Sequence, residues 1–269
     1  MKQFVLPPED EHAETVQLTG RAYQYLKVVR RYQRGDSLPA LTTGGVPKTL
    51  TITDIRDGVI LGLLSPRPSG EESPEGASRR GQLPAEADRG GASYTLVLCP
   101  ATLKGRKLDQ VVRQATEAGV AGLRPVVTDR CVSDPLGSGR GEKKSSRWRT
   151  IAREAVQQSG RGSVPFVEEP VHLDTLLEEL PPEGRLLFCH EADPGAPPLG
   201  ETLSHLEEGV EISLVLGPEG GLAPEEVAKL RRVGGVPCYL GPRVLRSESA
   251  ALYAIAAVQT LLREVRGWE

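Results

Sequence analysis

The spacing of apolar positions changes partway along the chain. Up to residue 68 they fall in short runs broken by turn residues: Val16-Gln17-Leu18, Ser37-Leu38-Pro39-Ala40-Leu41, Thr49-Leu50-Thr51-Ile52 and Val59 to Leu64. Such runs predict short strands. Between them Tyr25, Val28 and Val29 have helical spacing, which predicts one short helix over Gly20 to Arg31. Short strands with frequent turns suggest a small β-barrel.

From Tyr94 onward, strands and helices alternate. Strands are predicted at Tyr94 to Leu98, Gly122 to Thr128, Val164 to Val167, Arg185 to Cys189, Ile212 to Leu216 and Pro237 to Leu240. Helices are predicted at Leu108 to Ala118, Lys143 to Ser159, Asp174 to Leu180, Pro224 to Val233 and Ser249 to Val265. In the first of these Leu108, Val111, Val112 and Ala115 share a face; in the second Trp148, Ile151, Ala152 and Ala155 do. The alternation predicts an α/β unit with a mainly parallel sheet covered by helices. Residues 69–93 hold almost no large apolar side chain, so they are expected to form a flexible insert or linker. The chain thus divides into 1–68, 69–93 and 94–269.

Composition adds less than charge. Gly and Pro number 30 and 22, which fits many turns. The start lacks the apolar stretch of a signal peptide, and no run is long enough for a membrane span. Cys99, Cys131, Cys189 and Cys238 are far apart and form no CxxC pair, which argues against a zinc site or redox motif and suggests the cytoplasm. The net charge of -3 hides a basic middle. Residues 94–168 carry 13 basic against 7 acidic side chains, and residues 169–269 carry 8 against 17. A basic middle is either a phosphate-facing surface or a solvated helix face.

Two segments carry candidate chemistry. Leu214-Val215-Leu216-Gly217-Pro218-Glu219-Gly220-Gly221-Leu222 reads as a buried strand, a glycine-rich turn and then a helix with Pro224 in its first turn. Ligands of parallel sheets bind beyond the carboxyl ends of strands, where glycine lets backbone come close. A tight structural turn would look the same. It matches neither the P-loop nor the GxGxxG pattern. The second segment, Leu240-Gly241-Pro242-Arg243-Val244-Leu245-Arg246-Ser247-Glu248-Ser249-Ala250, runs from a strand through a Gly-Pro turn into a long helix, with Ser247 or Ser249 as a plausible N-cap. Its two arginines concentrate positive potential ahead of that helix, or are simply solvated. Cys189-His190-Glu191 follows another strand and is either a surface turn or a third loop of the same pocket.

In this order and spacing, the two segments resemble the RsmE family of SPOUT methyltransferases, which methylate N3 of a uridine in 16S ribosomal RNA. Further matches are Lys104-Gly105-Arg106, Gln114 to Val120, Thr128-Asp129-Arg130, Arg147-Trp148, Glu154-Ala155, Gln158-Ser159-Gly160-Arg161 and, near the start, Phe4, Val28-Val29-Arg30 and Gly35-Asp36. Gln24, Ala118 and Ser247 depart from the family's usual His, Leu and Thr.

The resemblance implies an N-terminal PUA-like barrel, a SPOUT domain with a C-terminal trefoil knot, and a homodimer formed through that domain. It implies S-adenosylmethionine as cofactor, held by Leu216, Gly217, Glu219, Gly220, Gly221, Leu240, Gly241, Val244, Leu245 and Ala250. Arg246, and after it Arg243, would stabilise charge on the uracil oxygens, with Glu248 or a water taking the proton. Helix stabilisation is an equal reading of Glu248. The RNA contacts would come from Arg30, Arg31, Lys104, Arg106, Arg130, Arg147 and Arg161. No metal or membrane partner is expected. The alternatives are a SPOUT enzyme acting on a ribose 2′-hydroxyl, and a non-catalytic RNA-binding assembly factor.

Overall fold

A computed structural model describes residues 4–66, 94–132, 135–136, 140–190 and 197–266. The linker expected at 69–93 lies outside them. The chain forms two compact units: residues 1–80 with 156–164, and residues 81–155 with 165–269. The stretch 156–164, which the sequence reading assigns to the second domain, clusters with the first.

In the first unit, β1 (Phe4–Val5), β2 (Thr15–Leu18), β3 (Ser37–Leu41), β4 (Pro47–Arg56) and β5 (Val59–Pro66) form one sheet in the order β1-β3-β4-β5-β2. Alternation puts Val16, Leu18, Leu38, Ala40, Leu50, Ile52, Ile60 and Leu64 into a core with Phe4, Leu6 and Leu26. The β4–β5 hairpin turns at Asp57-Gly58, both with positive φ (40° and 81°), the geometry that matches strand twist. The expected helix is present as α1 (Gly20–Tyr23), which widens into a π-helical turn over Gln24–Val29, with the Arg30 amide bonded to the Tyr25 carbonyl at 2.9 Å. Val156 and Val164 pack on Val5 and Leu41.

The second unit is a mixed α/β fold around a six-stranded sheet. Its strands are β6 (Tyr94–Pro100), β7 (Gly122–Leu123), β9 (Phe166–Val167), β11 (Arg185–Cys189), β12 (Val210–Leu216) and β13 (Val236–Cys238), in the order β13-β11-β12-β6-β7-β9. Every pairing in it is parallel, as the alternation predicts. The run Ile212 to Leu216 is buried throughout, as a strand covered on both faces must be. The single strand expected over Gly122 to Thr128 is two. Pro125 has no N–H to donate, and after it β8 (Val126–Val127) pairs with β10 (Val171–His172), while Val126 keeps a parallel bridge to Ala101 just past β6.

The helices are α2 (Lys107–Glu117), α3 (Arg140–Ser159), α4 (Leu173–Glu178), α5 (Leu199–Ser204), α6 (Pro224–Arg232) and α7 (Ser247–Arg266). The faces read from spacing are the buried ones: Leu108, Val111, Val112 and Ala115 in α2, and Trp148, Ile151, Ala152 and Ala155 in α3. α7 packs against α2, α5 and β12, burying Ala251, Ala254, Ile255, Val258 and Leu262. Each large aliphatic in that stripe contributes roughly 1.5–3 kcal/mol. The Gln259 side chain donates to the Ala118 carbonyl at 2.8 Å and so caps α2. Leu252 and Tyr253 of α7 are exposed. Among the described residues no helix is long and apolar enough to cross a membrane.

The Phe166 ring lies flat over Gly122 of the neighbouring strand, and the Arg124 guanidinium stacks on it at 5.7 Å from the centroid. A Cβ at residue 122 would stand far inside contact distance of the Cζ of that ring. Gly122→Ala is therefore expected to cost about 1–3 kcal/mol of stability. Urea unfolding checks this, and an unchanged midpoint would show that the ring turns aside without loss.

Candidate functional site

The register of the parallel ladder sets the carboxyl ends of four strands level. Cys189 is opposite both Leu216 and Cys238, and Leu216 is opposite Pro100. The segments that leave β11, β12 and β13 therefore emerge side by side. They enclose a cavity of about 410 Å³, a size suited to a small ligand.

The first wall is the turn after β12. The Gly221 amide donates to the Pro218 carbonyl at 2.9 Å, and Gly221 takes a φ of +69°. A Cβ on Gly217 would sit 3.0 Å from the Leu222 nitrogen, so a side chain there would push the turn open. Two cations brace it from outside. Lys107, at the start of α2, donates to the Glu219 carboxylate at 2.8 Å, joined by the Lys104 amide at 3.3 Å. Arg130 donates to the Gly220 carbonyl at 2.9 Å. Partial burial raises the Glu219 pKa, but the Lys107 bond and the amides outweigh it, and the carboxyl stays below its ordinary range.

Below the turn, α6 begins with Glu226 folded back and buried. One carboxylate oxygen accepts the Ala223 amide at 2.7 Å and the other the Asp129 amide at 2.9 Å. One side chain thus ties the segment that carries Arg130 to the exit of the glycine turn.

The second wall runs from Leu240 to Ser247. Gly241 has a φ of +107°, which only glycine holds without strain. The Ser249 and Ala250 amides both donate to the Arg246 carbonyl, at 2.9 and 2.8 Å. The cap position of α7 therefore falls on Arg246, not on Ser247 or Ser249. Cys189 and His190 form a third wall, so that segment is a pocket loop rather than a plain surface turn. Glu191 lies outside the described residues.

Of the residues singled out by sequence, Leu216, Gly217, Glu219, Gly221, Leu240, Gly241, Arg243, Val244, Leu245, Arg246 and Ala250 line the cavity. Gly220 and Glu248 do not. Gly220 turns its carbonyl to Arg130, and one carboxylate oxygen of Glu248 is buried without a hydrogen-bond partner among the described residues. The basic residues disperse. Arg130 is a cavity residue, Arg147 pairs with Asp109, and Arg106 is exposed ahead of α2. Arg30, Arg31 and Arg161 belong to the first unit, where Arg30 stands over the Tyr32 ring at 6.0 Å. Pro218, Pro242 and Ser247 lie within the two segments read as the pocket, while the sequence reading missed Lys107 and Leu222 as lining residues. Lys107 sits beside the matched Lys104-Gly105-Arg106, but its acidic partner is 112 positions away, a separation no local pattern reveals. Among the described residues no group of three or more His, Cys, Asp or Glu is placed to hold a metal ion.

The cavity combines an apolar floor of Leu216, Leu222, Leu240 and Leu245 with Lys107, Arg130, Arg243 and Arg246 around it, against one carboxylate, Glu219. It is built for a ligand with an apolar or aromatic body and anionic groups. Glu226→Ala leaves two amides without their acceptor and is expected to cost about 1–3 kcal/mol for each buried donor left unpaired. Faster amide exchange at both Asp129 and Ala223 is the measurement; Glu226→Gln, whose single amide oxygen can accept only one of the two bonds, should speed exchange at only one of them. Unchanged exchange in Glu226→Ala would remove the brace from the account.

Known proteins share this arrangement. A family model for an RNA methyltransferase domain matches residues 92–259. The chain is 30% identical over 261 residues to the ribosomal RNA small subunit methyltransferase E of Synechocystis, covering 97% of this chain and 78% of that protein. It is 28% identical over 260 residues to the Bacillus subtilis protein of the same name, covering 96% and 94%. The crystal structure of a ribosomal RNA small subunit methyltransferase E from Neisseria gonorrhoeae bound to S-adenosyl methionine superposes with a TM-score of 0.75, at 27% identity over 97% of this chain and 98% of that one. With its fold and its sequence in agreement over nearly the whole length, this chain belongs to the ribosomal RNA small subunit methyltransferase E family.

Proposed function

We propose that this chain transfers the methyl group of S-adenosylmethionine to N3 of a uridine in 16S ribosomal RNA. The observation that carries the reading is the three-walled cavity at the strand ends, with its glycine backbone, apolar floor and two arginines on one wall. The residues present fit the cofactor. Gly217, Gly221 and Gly241 offer backbone without a Cβ, Leu216, Leu240 and Leu245 offer an apolar face for an adenine, and the cations suit a carboxylate. The related Neisseria structure was solved with that cofactor bound.

When bound, S-adenosylmethionine supplies a methyl group on a positively charged sulfur, open to attack by a nitrogen lone pair. The protein's task is to favour the N3 anion of the uracil. In this reading Arg246 holds its guanidinium beside the uracil oxygens and stabilises the charge that gathers there as the proton leaves. Arg243, three residues earlier on the same wall, assists. Neither accepts the proton, because an arginine keeps its own. Glu248, the protein carboxylate nearest them in sequence, takes the proton, directly or through water. The cofactor set is Leu216, Gly217, Glu219, Gly220, Gly221, Leu240, Gly241, Val244, Leu245 and Ala250, with Gly220 acting through its bond to Arg130.

The finer architecture belongs to the same proposal. Residues 1–68 are a PUA-like barrel that binds RNA, 69–93 a linker, and 94–269 a SPOUT domain whose C-terminal segment is knotted. The order β13-β11-β12 and the return of α7 onto α2 support the knot. Exposed Leu252 and Tyr253, on a helix whose other side is already buried, support a homodimer through α7. Arg30, Arg31, Lys104, Arg106, Arg130, Arg147 and Arg161 are the RNA-facing set, and the site of action is the cytoplasm.

Nucleoside mass spectrometry of 16S ribosomal RNA from cells lacking this protein tests the reaction. 3-methyluridine should vanish and return on complementation; an unchanged level would refute the proposal. Arg246→Ala should lower kcat by roughly 10²–10³-fold, the usual effect of losing a group that stabilises transition-state charge. Its affinity for S-adenosylmethionine, measured by calorimetry, should stay within about tenfold of the parent, a change of about 1.4 kcal/mol. A normal kcat with lost cofactor affinity would reassign Arg246 to the cofactor.

A further inference from the structure

Four cysteines scattered through the sequence gave no redox motif, but the fold brings two of them together. Cys189 ends β11 and Cys238 ends β13, and the two are direct partners in the parallel ladder. Partners in such a ladder point to the same face of the sheet. Neighbouring strands lie about 4.8 Å apart, inside the span of about 4.4–6.8 Å between the Cα atoms of a disulfide. The two side chains are hydrogen-bonded to each other, and all four cysteines are free thiols.

Access is asymmetric. Cys238 is fully buried, whereas Cys189 is half-buried and lines the cavity. Cys189 forms part of the cavity wall, so a small oxidant in the cavity lies beside the pair. We propose that Cys189 and Cys238 form a reversible disulfide that closes the cavity to its ligand. The claim about the ligand rests on the cofactor reading above.

The shared hydrogen bond lowers the pKa of Cys238, while that bond and burial hold the Cys189 thiol well above its ordinary range. The pair therefore sheds its first proton more readily than a lone buried thiol, and its second less readily. At Cys99 burial outweighs the lowering effect of nearby Arg124 and Ser213 and pushes the pKa up to about 12, which keeps that thiol inert.

With a hydroperoxide as oxidant the chemistry balances. A thiolate sulfur of the pair attacks the peroxide oxygen and the O–O bond breaks. The sulfur becomes a sulfenic acid, and the other half of the peroxide leaves as alcohol or water. The second thiolate attacks the sulfenic sulfur, the S–S bond forms, and hydroxide leaves as water. Two thiols are oxidised and one hydroperoxide is reduced.

The consequence follows from position. Bonded sulfurs lie about 2.0 Å apart, much closer than two thiols in contact, so bonding pulls the Cys189 sulfur toward Cys238 and reshapes the cavity wall that Cys189 forms. His190 follows Cys189 directly and Leu240 and Gly241 follow Cys238 closely, and all three line the cavity. A bridge between flat parallel neighbours is strained, and strained disulfides are the easily reduced ones.

The test oxidises the full-length protein with limiting hydrogen peroxide and maps the cysteines by peptide mass spectrometry. The expected product is a linked peptide pair joining Cys189 to Cys238, lighter by two hydrogens. Affinity for S-adenosylmethionine should fall by at least about tenfold, or about 1.4 kcal/mol, and recover with dithiothreitol. Cys238→Ala should bind in the reduced state like the parent and lose the reversible response. No linked peptide in the parent protein, or a linked peptide with unchanged affinity, would overturn the inference. So would an equal response in Cys238→Ala, which would place the oxidation elsewhere, as at Cys131. A linked peptide in a protein that binds no S-adenosylmethionine even when reduced would uphold the disulfide and overturn the cofactor reading instead.

Discussion

The backbone ladder joining β13, β11, β12 and β6 is the constraint on which the site depends. In a parallel sheet every strand leaves by the same edge, so residues far apart in the chain end as neighbours. A slip of one residue in any pairing would move buried side chains to the other face and offset the strand ends. The turns at Gly217 and Gly241 can be two walls of one cavity because Leu216 and Cys238 both lie level with Cys189. The side-chain braces refine this arrangement and do not create it. Lys107 and Glu219 are both partly exposed, and a pair of that kind contributes about 0–1 kcal/mol. Glu226 is 3% exposed and satisfies two amides, so its removal costs more. Magnitude therefore assigns the shape of the glycine turn to the ladder and to Glu226, with Lys107 and Arg130 trimming it.

What could be read in advance divides along the same line. Helix faces were legible because burial repeats every three to four residues: Leu108, Val111, Val112 and Ala115 needed no tertiary information. The cavity turns were legible because a buried strand followed by glycines is a local pattern. Strand order was not. Nothing near Cys189 says that it sits beside Cys238, and nothing near Lys107 points to Glu219. Local exceptions escaped as well. Arg124-Pro125 splits one expected strand in two because a missing N–H matters more than a continuous apolar run. The cap of α7 fell on Arg246 although two serines with better capping chemistry follow, because the turn from Gly241 fixes where helical backbone begins.

Charge counts mislead in a related way. The basic excess of residues 94–168 left a phosphate-facing surface and a solvated helix face equally open. Many of its cations are engaged inside the fold: Arg124 with Glu168 and Glu211, Arg147 with Asp109, Arg149 with the Val167 carbonyl and Arg130 with the Gly220 carbonyl. Conversely, residues 169–269 are strongly acidic in sum, yet among the described residues they supply Arg243 and Arg246 to the cavity and only Glu219 in opposition. A ligand responds to the few groups that face it, since charges beyond about 8–10 Å are largely screened in salt. The two arginines are exposed, so in water their pull on an anion is modest. In the proposed reading a base covers the cavity mouth and excludes solvent, and the same guanidiniums would then act through a lower dielectric and strengthen several-fold. An electrostatic contribution of this form grows as the substrate seats itself, which favours an RNA base held over the cavity above a small anion that leaves it open to water.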